Sequence, residues 1–251
     1  MNGWGRRLGR ASLLVGVLVL WQLAALRGLP DYLLSPIEIL KHFIAALGTR
    51  ELYQDAAASL LRALPGFAIG TLLGVALGLA AGIARSFDEL LSPLVFLTYP
   101  VPKIVMLPVF MLWFGIGDVS KILIIALACF YPAFINAFYG ARATRRILVW
   151  SARNMGASEA EIFRRVVLPG ALPQIFAGMR VALALSFIVM FAAEMINARS
   201  GLGHLIREAE NSLRFDLMYV SLLTIAILGY AGDRLLRFAR SYFLPWEESH
   251  A

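Results

Sequence analysis

The sequence predicts an all-α membrane protein with about six transmembrane helices, on three observations. Of its 251 residues, 60% are hydrophobic and only 16% charged, against about 45–50% and about 25% in soluble domains. Its mean hydropathy is +0.74. The apolar residues gather in charge-free runs, Ala63 to Ala84 between Arg62 and Arg85, and Ile122 to Ala141 between Lys121 and Arg142. Each run supplies the roughly 20 helical residues that cross a bilayer core.

The first span is Ala11 to Leu26, behind Arg6, Arg7 and Arg10. That arrangement resembles a signal peptide, but no clear small-x-small cleavage site follows, so a retained span is expected. Next, Ser35, Pro36 and Glu38 form a helix start: a capping Ser, Pro at the first position and Glu three residues after the cap. Ile37, Leu40, Ile44 and Leu47 continue at helical spacing to Gly48, which reads as an amphipathic surface helix.

The second span, Ala63 to Ala84, carries Gly66, Gly70, Gly74, Gly78 and Gly82 at every fourth position. In lipid such a stripe lets another helix approach closely. It serves static packing first and a sliding surface second. The third span, Leu90 to Phe114, is interrupted by Pro100, Pro102, Lys103 and Pro108. A helix broken there exposes backbone and an ammonium to a water-filled cavity. The fourth span is Ile122 to Gly140, the fifth Ile175 to Ile196 and the sixth Leu217 to Ala239.

Charges inside spans mark a pathway or a partner. Lys103 and Glu194 are two such charges, and Asn197 lies three residues after Glu194 on the same face. Lys103, Asn136, Glu194 and Asn197 are therefore the candidate translocation pathway. A mutual Lys103–Glu194 ion pair, or snorkelling to the interface, is the alternative. The single Cys129 lies in the fourth span, which excludes an intrachain disulfide and a thiolate metal site. His42, His204 and His250 all read as outside the spans, which speaks against an intramembrane Ser–His protease.

Lys and Arg set the orientation. With the N-terminus inside, inner segments hold 13 of them and outer segments 8, which favours that orientation. Ser158 and Glu248 then face the cytoplasm, and Asp31 and Asn211 face outward. The basic pI of 9.9 reflects this bias rather than nucleic-acid binding.

The Arg-rich segment between the fourth and fifth spans, residues 141–173, is thereby cytoplasmic. Thr144 to Met155 contains good helix formers, and Gly156 closes that helix. Ser158 opens another, with Glu161 completing a second capping box and Glu159 adding negative charge at the positive end. Pro169 and Pro173 are expected to stop it before the fifth span. Ala152, Gly156, Ala160, Phe163 and Val167 form one narrow stripe of mostly small residues. Such a stripe fits insertion into a partner's groove or an interfacial helix resting on lipid.

Ala152, Gly156, Val166, Leu168 and Pro169 follow the order of the "EAA" signature, and the chain here resembles the permeases of bacterial ATP-binding-cassette (ABC) importers. Trp150 and Ser151 stand where that signature usually has Glu and Ala. "SLLR" (Ser59 to Arg62), "PVFMLWFGIGD" (Pro108 to Asp118), "AEMINARSGLGHLI" (Ala193 to Ile206) and the closing Pro245 and Trp246 are similar to the subfamily importing nitrate, taurine and alkanesulfonates. The resemblance implies a type I importer permease, one domain over residues 1–251, in the bacterial inner membrane with both termini cytoplasmic. It implies that Ala152, Gly156, Ala157, Ser158, Glu159, Ala160, Glu161, Phe163, Leu168 and Pro169 form an ATPase-coupling segment. Its implied partners are two ABC ATPases, a second permease copy as a homodimer, and an extracytoplasmic solute-binding protein.

No phosphate-binding loop of the G-x-x-x-x-G-K-[ST] type is present. The chain is read as a transport subunit and not an enzyme. It binds no cofactor itself, ATP and magnesium belonging to the partner. The solute is expected to be a small anion such as taurine, an alkanesulfonate or nitrate, moved by alternating access. A thiamine-precursor pyrimidine or another small molecule is the alternative, and an ion-coupled secondary transporter a further one.

Overall fold

The computed structural model describes residues 3–28, 30 and 32–245; Asp31, Trp246, Glu248 and His250 lie outside the described residues. Every regular element among the described residues is helical. Among the described residues, four helices are long and apolar enough to span a membrane, and five if one bent pair is counted as a span. Helix α1 (Gly3–Leu26) contains a shorter apolar segment, Val15–Leu26.

Helix α2 (Pro36–Ala46) begins as its sequence requires. The Ser35 hydroxyl accepts from the Glu38 amide, and the Glu38 carboxylate accepts from the Ser35 amide. Those contacts hold the Glu38 carboxyl below the usual carboxylate range.

Helix α3 (Arg50–Ile83) is longer than its apolar run. Its 34 residues extend about 50 Å at ~1.5 Å per residue, beyond a hydrocarbon core of about 30 Å. The extra length runs from Arg50 to Arg62, which hydropathy alone assigns to a loop. Helix α4 (Arg85–Thr98) meets a short 3₁₀ turn (Lys103–Met106) and α5 (Leu107–Phe114) at a bend of 94°. The proline-interrupted third run is thus a broken span or re-entrant loop, as the clustered prolines dictate.

Helix α6 (Asp118–Ala143) is the centre of the molecule, packed on α3 and on α9 (Leu168–Asn197). Ile124, Ile125, Cys129, Ala133, Phe134 and Ala137 have no exposed surface. The glycine stripe is the α3 contact. A Cβ on Gly70 would lie 2.2 Å from the Ala126 carbonyl oxygen, on Gly74 2.5 Å from that of Phe130, and on Gly78 2.4 Å from that of Phe134. Backbone fills the space a side chain would need, so dispersion between closely approached helices holds the pair.

Helix α7 (Arg146–Asn154) and the short α8 (Glu159–Ile162) form the connection between α6 and α9. The expectation that Pro169 and Pro173 stop a helix is overturned. From Glu159 the chain runs as α8, a π-helical turn at Phe163–Val167, and α9, one continuous helical stretch to Asn197. Pro169 lies inside this stretch, directly after the widened turn, which accommodates its ring and missing N–H. The preceding turn widens so that the Leu168 amide donates to the Phe163 carbonyl, five residues back. Helix α10 (Leu202–Asn211) then buries Leu202, Ile206 and Ala209, and α11 (Phe215–Phe243) completes the fold with only Val220, Ser221 and Thr224 buried.

Candidate coupling segment and intramembrane polar site

The candidate coupling segment is built from two caps placed back to back. The Ala157 amide donates to the Ala152 carbonyl at 3.1 Å, and the Gly156 amide to that of Arg153 at 3.0 Å. Gly156 has φ +84°. This is a Schellman closure of α7, and its left-handed residue favours glycine. Two residues later the Ser158 hydroxyl accepts from the Glu161 amide, and Glu161 accepts from the Ser158 amide at 3.0 Å. Arg153 Nη2 donates to Glu159 at 2.6 Å across the turn. The Ala-to-Gly spacing in the sequence is therefore the spacing of the cap itself.

The stripe divides differently from its sequence reading. Val167 is buried, and Ala152, Ala157, Phe163 and Leu168 pack with Leu79, Ala137, Ala141 and Ile162 in a core cluster beneath the segment. Those residues hold the segment to α3 and α6. Gly156, Ser158, Glu159, Ala160 and Glu161 are exposed, with Met155 beside them at 86% exposure. The turn and the outer side of α8 thus lie open at the surface. Pro169 is half-buried at the start of α9.

The four candidate pathway residues are not brought together. Lys103 lies at the break between α4 and α5, beside a cavity of about 340 Å³ lined by Tyr99, Pro100, Tyr131, Leu185, Ile188 and neighbours. Its ammonium donates to the carbonyls of Thr98, Tyr99 and Val101 at 2.7, 3.0 and 2.6 Å, and sits 3.9 Å from the Tyr131 ring centroid. An ammonium has three donors, so all are engaged by carbonyls at and just beyond the end of α4. Asn136 instead sits at the α6–α9 crossing. Its amide donates to the Pro132 carbonyl at 2.8 Å, and a Cβ on Gly178 would lie 2.6 Å from the Asn136 Cβ. Asn197 is the last residue of α9.

Glu194 is fully buried, and its partner is not Lys103. Arg62 Nη1 donates to it at 2.6 Å, the Ser59 hydroxyl at 2.8 Å, and the Gly203 amide at 2.9 Å. Arg62 also donates through Nε to Asp118 at 2.6 Å and through Nη1 to the Ser200 carbonyl at 2.7 Å. Ser59 in turn accepts from the Leu202 amide, and Asp55 from the Gly201 amide. The cluster ties α3, the start of α6 and the end of α9 to the turn before α10. A Cβ on Gly201, at φ +111°, would lie 2.4 Å from Glu194 Oε1. Sequence reasoning placed Arg62 in an outer segment and so missed it. The available signal was a deep carboxylate needing a cation, together with an Arg at the edge of the glycine-striped run.

With this geometry in place, comparison with known proteins is informative. Residues 70–240 match the family model described as "Binding-protein-dependent transport system inner membrane component". The chain is 38% identical to "Putative aliphatic sulfonates transport permease protein SsuC" of Escherichia coli (strain K12), covering 98% of this chain and 95% of that one. It is 34% identical to the "Taurine transport system permease protein TauC" of the same organism, covering 95% and 89%. It is 35% identical to the "Riboflavin transport system permease protein RibX" of Chloroflexus aurantiacus (strain ATCC 29366 / DSM 635 / J-10-fl), covering 96% and 91%. Among solved structures, an inward-facing form of the MetNI methionine ABC transporter is similar in fold, with a TM-score of 0.58, 23% identity and coverage of 77% of this chain and 96% of that one.

Proposed function

We propose that this chain, which belongs to the family of binding-protein-dependent transport system inner membrane components, imports a small sulfonate such as taurine or an alkanesulfonate as the permease of an ATP-driven complex. The observation that carries the substrate class is the near full-length similarity to permeases named for aliphatic sulfonates and for taurine. A permease of this family is a multi-pass inner-membrane transport component rather than an enzyme. The whole chain acts as one permease domain with both termini cytoplasmic. ATP and magnesium are held by two partner ATPases, and a second copy of the permease completes the pathway. An external binding protein delivers the solute.

In this reading the outer side of α8 seats on the ATPase, and closure of the ATPases moves α8. Because α8 continues into α9 through the π-helical turn, motion at the docking surface passes directly into a membrane span. The span then alternates the pathway between outward and inward access. The cavity at the α4–α5 break is the candidate passage, and Lys103 contributes positive potential there. Its donors are engaged, so its influence on an anion is electrostatic rather than a direct hydrogen bond.

A second reading is an importer of a flat heterocycle, favoured by the comparable identity to RibX and the aromatic lining of the cavity. Uptake into proteoliposomes containing the permease, its ATPase and its binding protein separates the two. Taurine and alkanesulfonates are tested against nitrate, riboflavin and a pyrimidine. ATP-dependent accumulation of sulfonates supports the first reading, and accumulation of riboflavin or the pyrimidine alone replaces it with the second.

A further inference from the structure

We propose that the outward face of α7 is an apolar half of the ATPase interface, with Trp150 as the side chain that enters an apolar recess on the ATPase. This rests on the coupling reading of the α7–α8 segment and adds a second surface, of different chemistry, to the outer side of α8. The starting point is a helix whose apolar residues are distributed the wrong way round. Against the cluster formed by Leu79, Ala137, Ala141 and Ile162, α7 packs Val149 and Ala152. Its larger apolar side chains point away from that cluster. Ile147 is 55% exposed, Leu148 49% and Trp150 57%.

These side chains form one surface. At 3.6 residues per turn, Trp150, Asn154, Ile147, Ser151 and Leu148 follow one another around an arc of about 160°. Ser151 and Asn154 are exposed between them. Met155 extends the arc past the end of the helix and leads into the exposed turn at Gly156 and Ser158, so a partner seated on α8 lies beside this face. A helix of nine residues is too short to hold itself on propensity alone. A cover on its outer face supplies burial that Val149 and Ala152 do not.

The charges around the face distinguish a protein from the bilayer surface. An interfacial helix on an anionic leaflet is rimmed by Lys and Arg. Here the rim carries both signs. Arg145 is exposed at the start of α7, Arg153 is paired with Glu159 at 2.6 Å, and Glu161 is exposed beyond the turn. Anionic headgroups attract only the basic part of such a rim. Protein interfaces combine an apolar centre, enriched in Trp and Met, with a rim of mixed polarity. A Trp buried at such a centre commonly dominates the binding energy.

The test is the affinity of the ATPase for the permease held in nanodiscs. Trp150→Phe should bind nearly as well as wild type. Trp150→Glu should weaken binding by about thirty-fold or more, the scale set by loss of a Trp anchor. Leu148→Ser keeps Trp150 and should weaken binding by a smaller factor; it carries the test if a Trp150 variant fails to fold. Unchanged or tighter binding of Trp150→Glu would overturn the proposal, since the facing surface would then be polar or absent. With Trp4, Trp21, Trp113 and Trp246 replaced by Phe, Trp150 emission should shift when the ATPase is added and resist quenching by brominated phospholipid. Quenching in the assembled complex would assign the face to the membrane and overturn the proposal. Ala160→Arg separates this proposal from the reading beneath it. Loss of binding in Ala160→Arg with normal binding in Trp150→Glu would remove α7 from the interface and leave docking at α8 intact. Normal binding in both variants would remove the coupling reading itself.

Discussion

Arg62 Nη1 lies 2.6 Å from the fully buried Glu194 Oε1, joining residues 132 positions apart. The pair fixes the N-terminal half of α3 to the end of α9. Removing one member of a buried pair strands the other charge at a cost of about 3–5 kcal/mol, whereas removing both charges costs far less. Arg62→Met should therefore sharply lower the melting temperature of the purified permease. Adding Glu194→Gln, which keeps an acceptor for the Gly203 amide, should restore part of the loss. Additive losses in the double variant would show that the two residues do not act as a pair.

The glycine stripe makes a second prediction. Gly70→Val places side-chain atoms where the Ala126 carbonyl already lies, and overpacking of this kind costs about 1–3 kcal/mol or more. The variant should lose monodisperse protein on size exclusion. Gly16→Ala, with nothing within 4 Å of the added Cβ, should behave as wild type. Tolerance of valine at position 70 would mean that α3 and α6 do not pack along this stripe.

Topology can be read by labelling. Cys129 is fully buried and its thiol donates to the Ala182 carbonyl at 3.3 Å, so Cys129→Ala should give a folded thiol-free background. A cysteine at Ser158 should then react with a membrane-impermeant reagent only after cells are opened, and one at Asn211 in intact cells. The reverse pattern would invert the orientation.

Lys103→Met removes three donors from the carbonyls of Thr98, Tyr99 and Val101. An unpaired polar group costs about 1–3 kcal/mol when buried, and less at this half-exposed site. Assembly with the ATPase should survive while solute uptake falls, because the bend beside the cavity loosens. Arginine should rescue poorly, since a planar fork replaces a compact ammonium. Normal uptake in Lys103→Met would remove the bend from the transport step.

Much of the fold was legible in residue order. The charge-free runs located the long spans, Ser35 and Ser158 announced their caps, and the glycine spacing announced a close helix contact without naming α6 as the partner. These signals are local, so a sequence carries them openly. What was not legible depended on contacts between distant segments. Arg62 looked like a loop charge because its compensating carboxylate is at Glu194, and its helix continued past the apolar run on tertiary support. Pro169 looked like a stop because the widened turn before it is invisible in composition. The stripe at Ala152, Gly156, Ala160, Phe163 and Val167 reads as one face because periodicity shows that a face is apolar without showing which of its residues are covered. Helix α10 had a readable pattern in Leu202, Ile206 and Ala209, but its polar residues concealed it from a search for spans.

The central claim is that ATP hydrolysis by a partner is coupled to this permease through the outer side of α8. Its most direct test is the ATPase rate of the reconstituted complex, with and without solute-loaded binding protein, for wild type and Ala160→Arg. Ala160 is exposed, so the arginine should leave the permease fold intact while placing a bulky charge on the docking surface. The account predicts stimulation by the loaded binding protein in wild type, and its loss together with ATPase binding in the variant. Equal stimulation in both would contradict it.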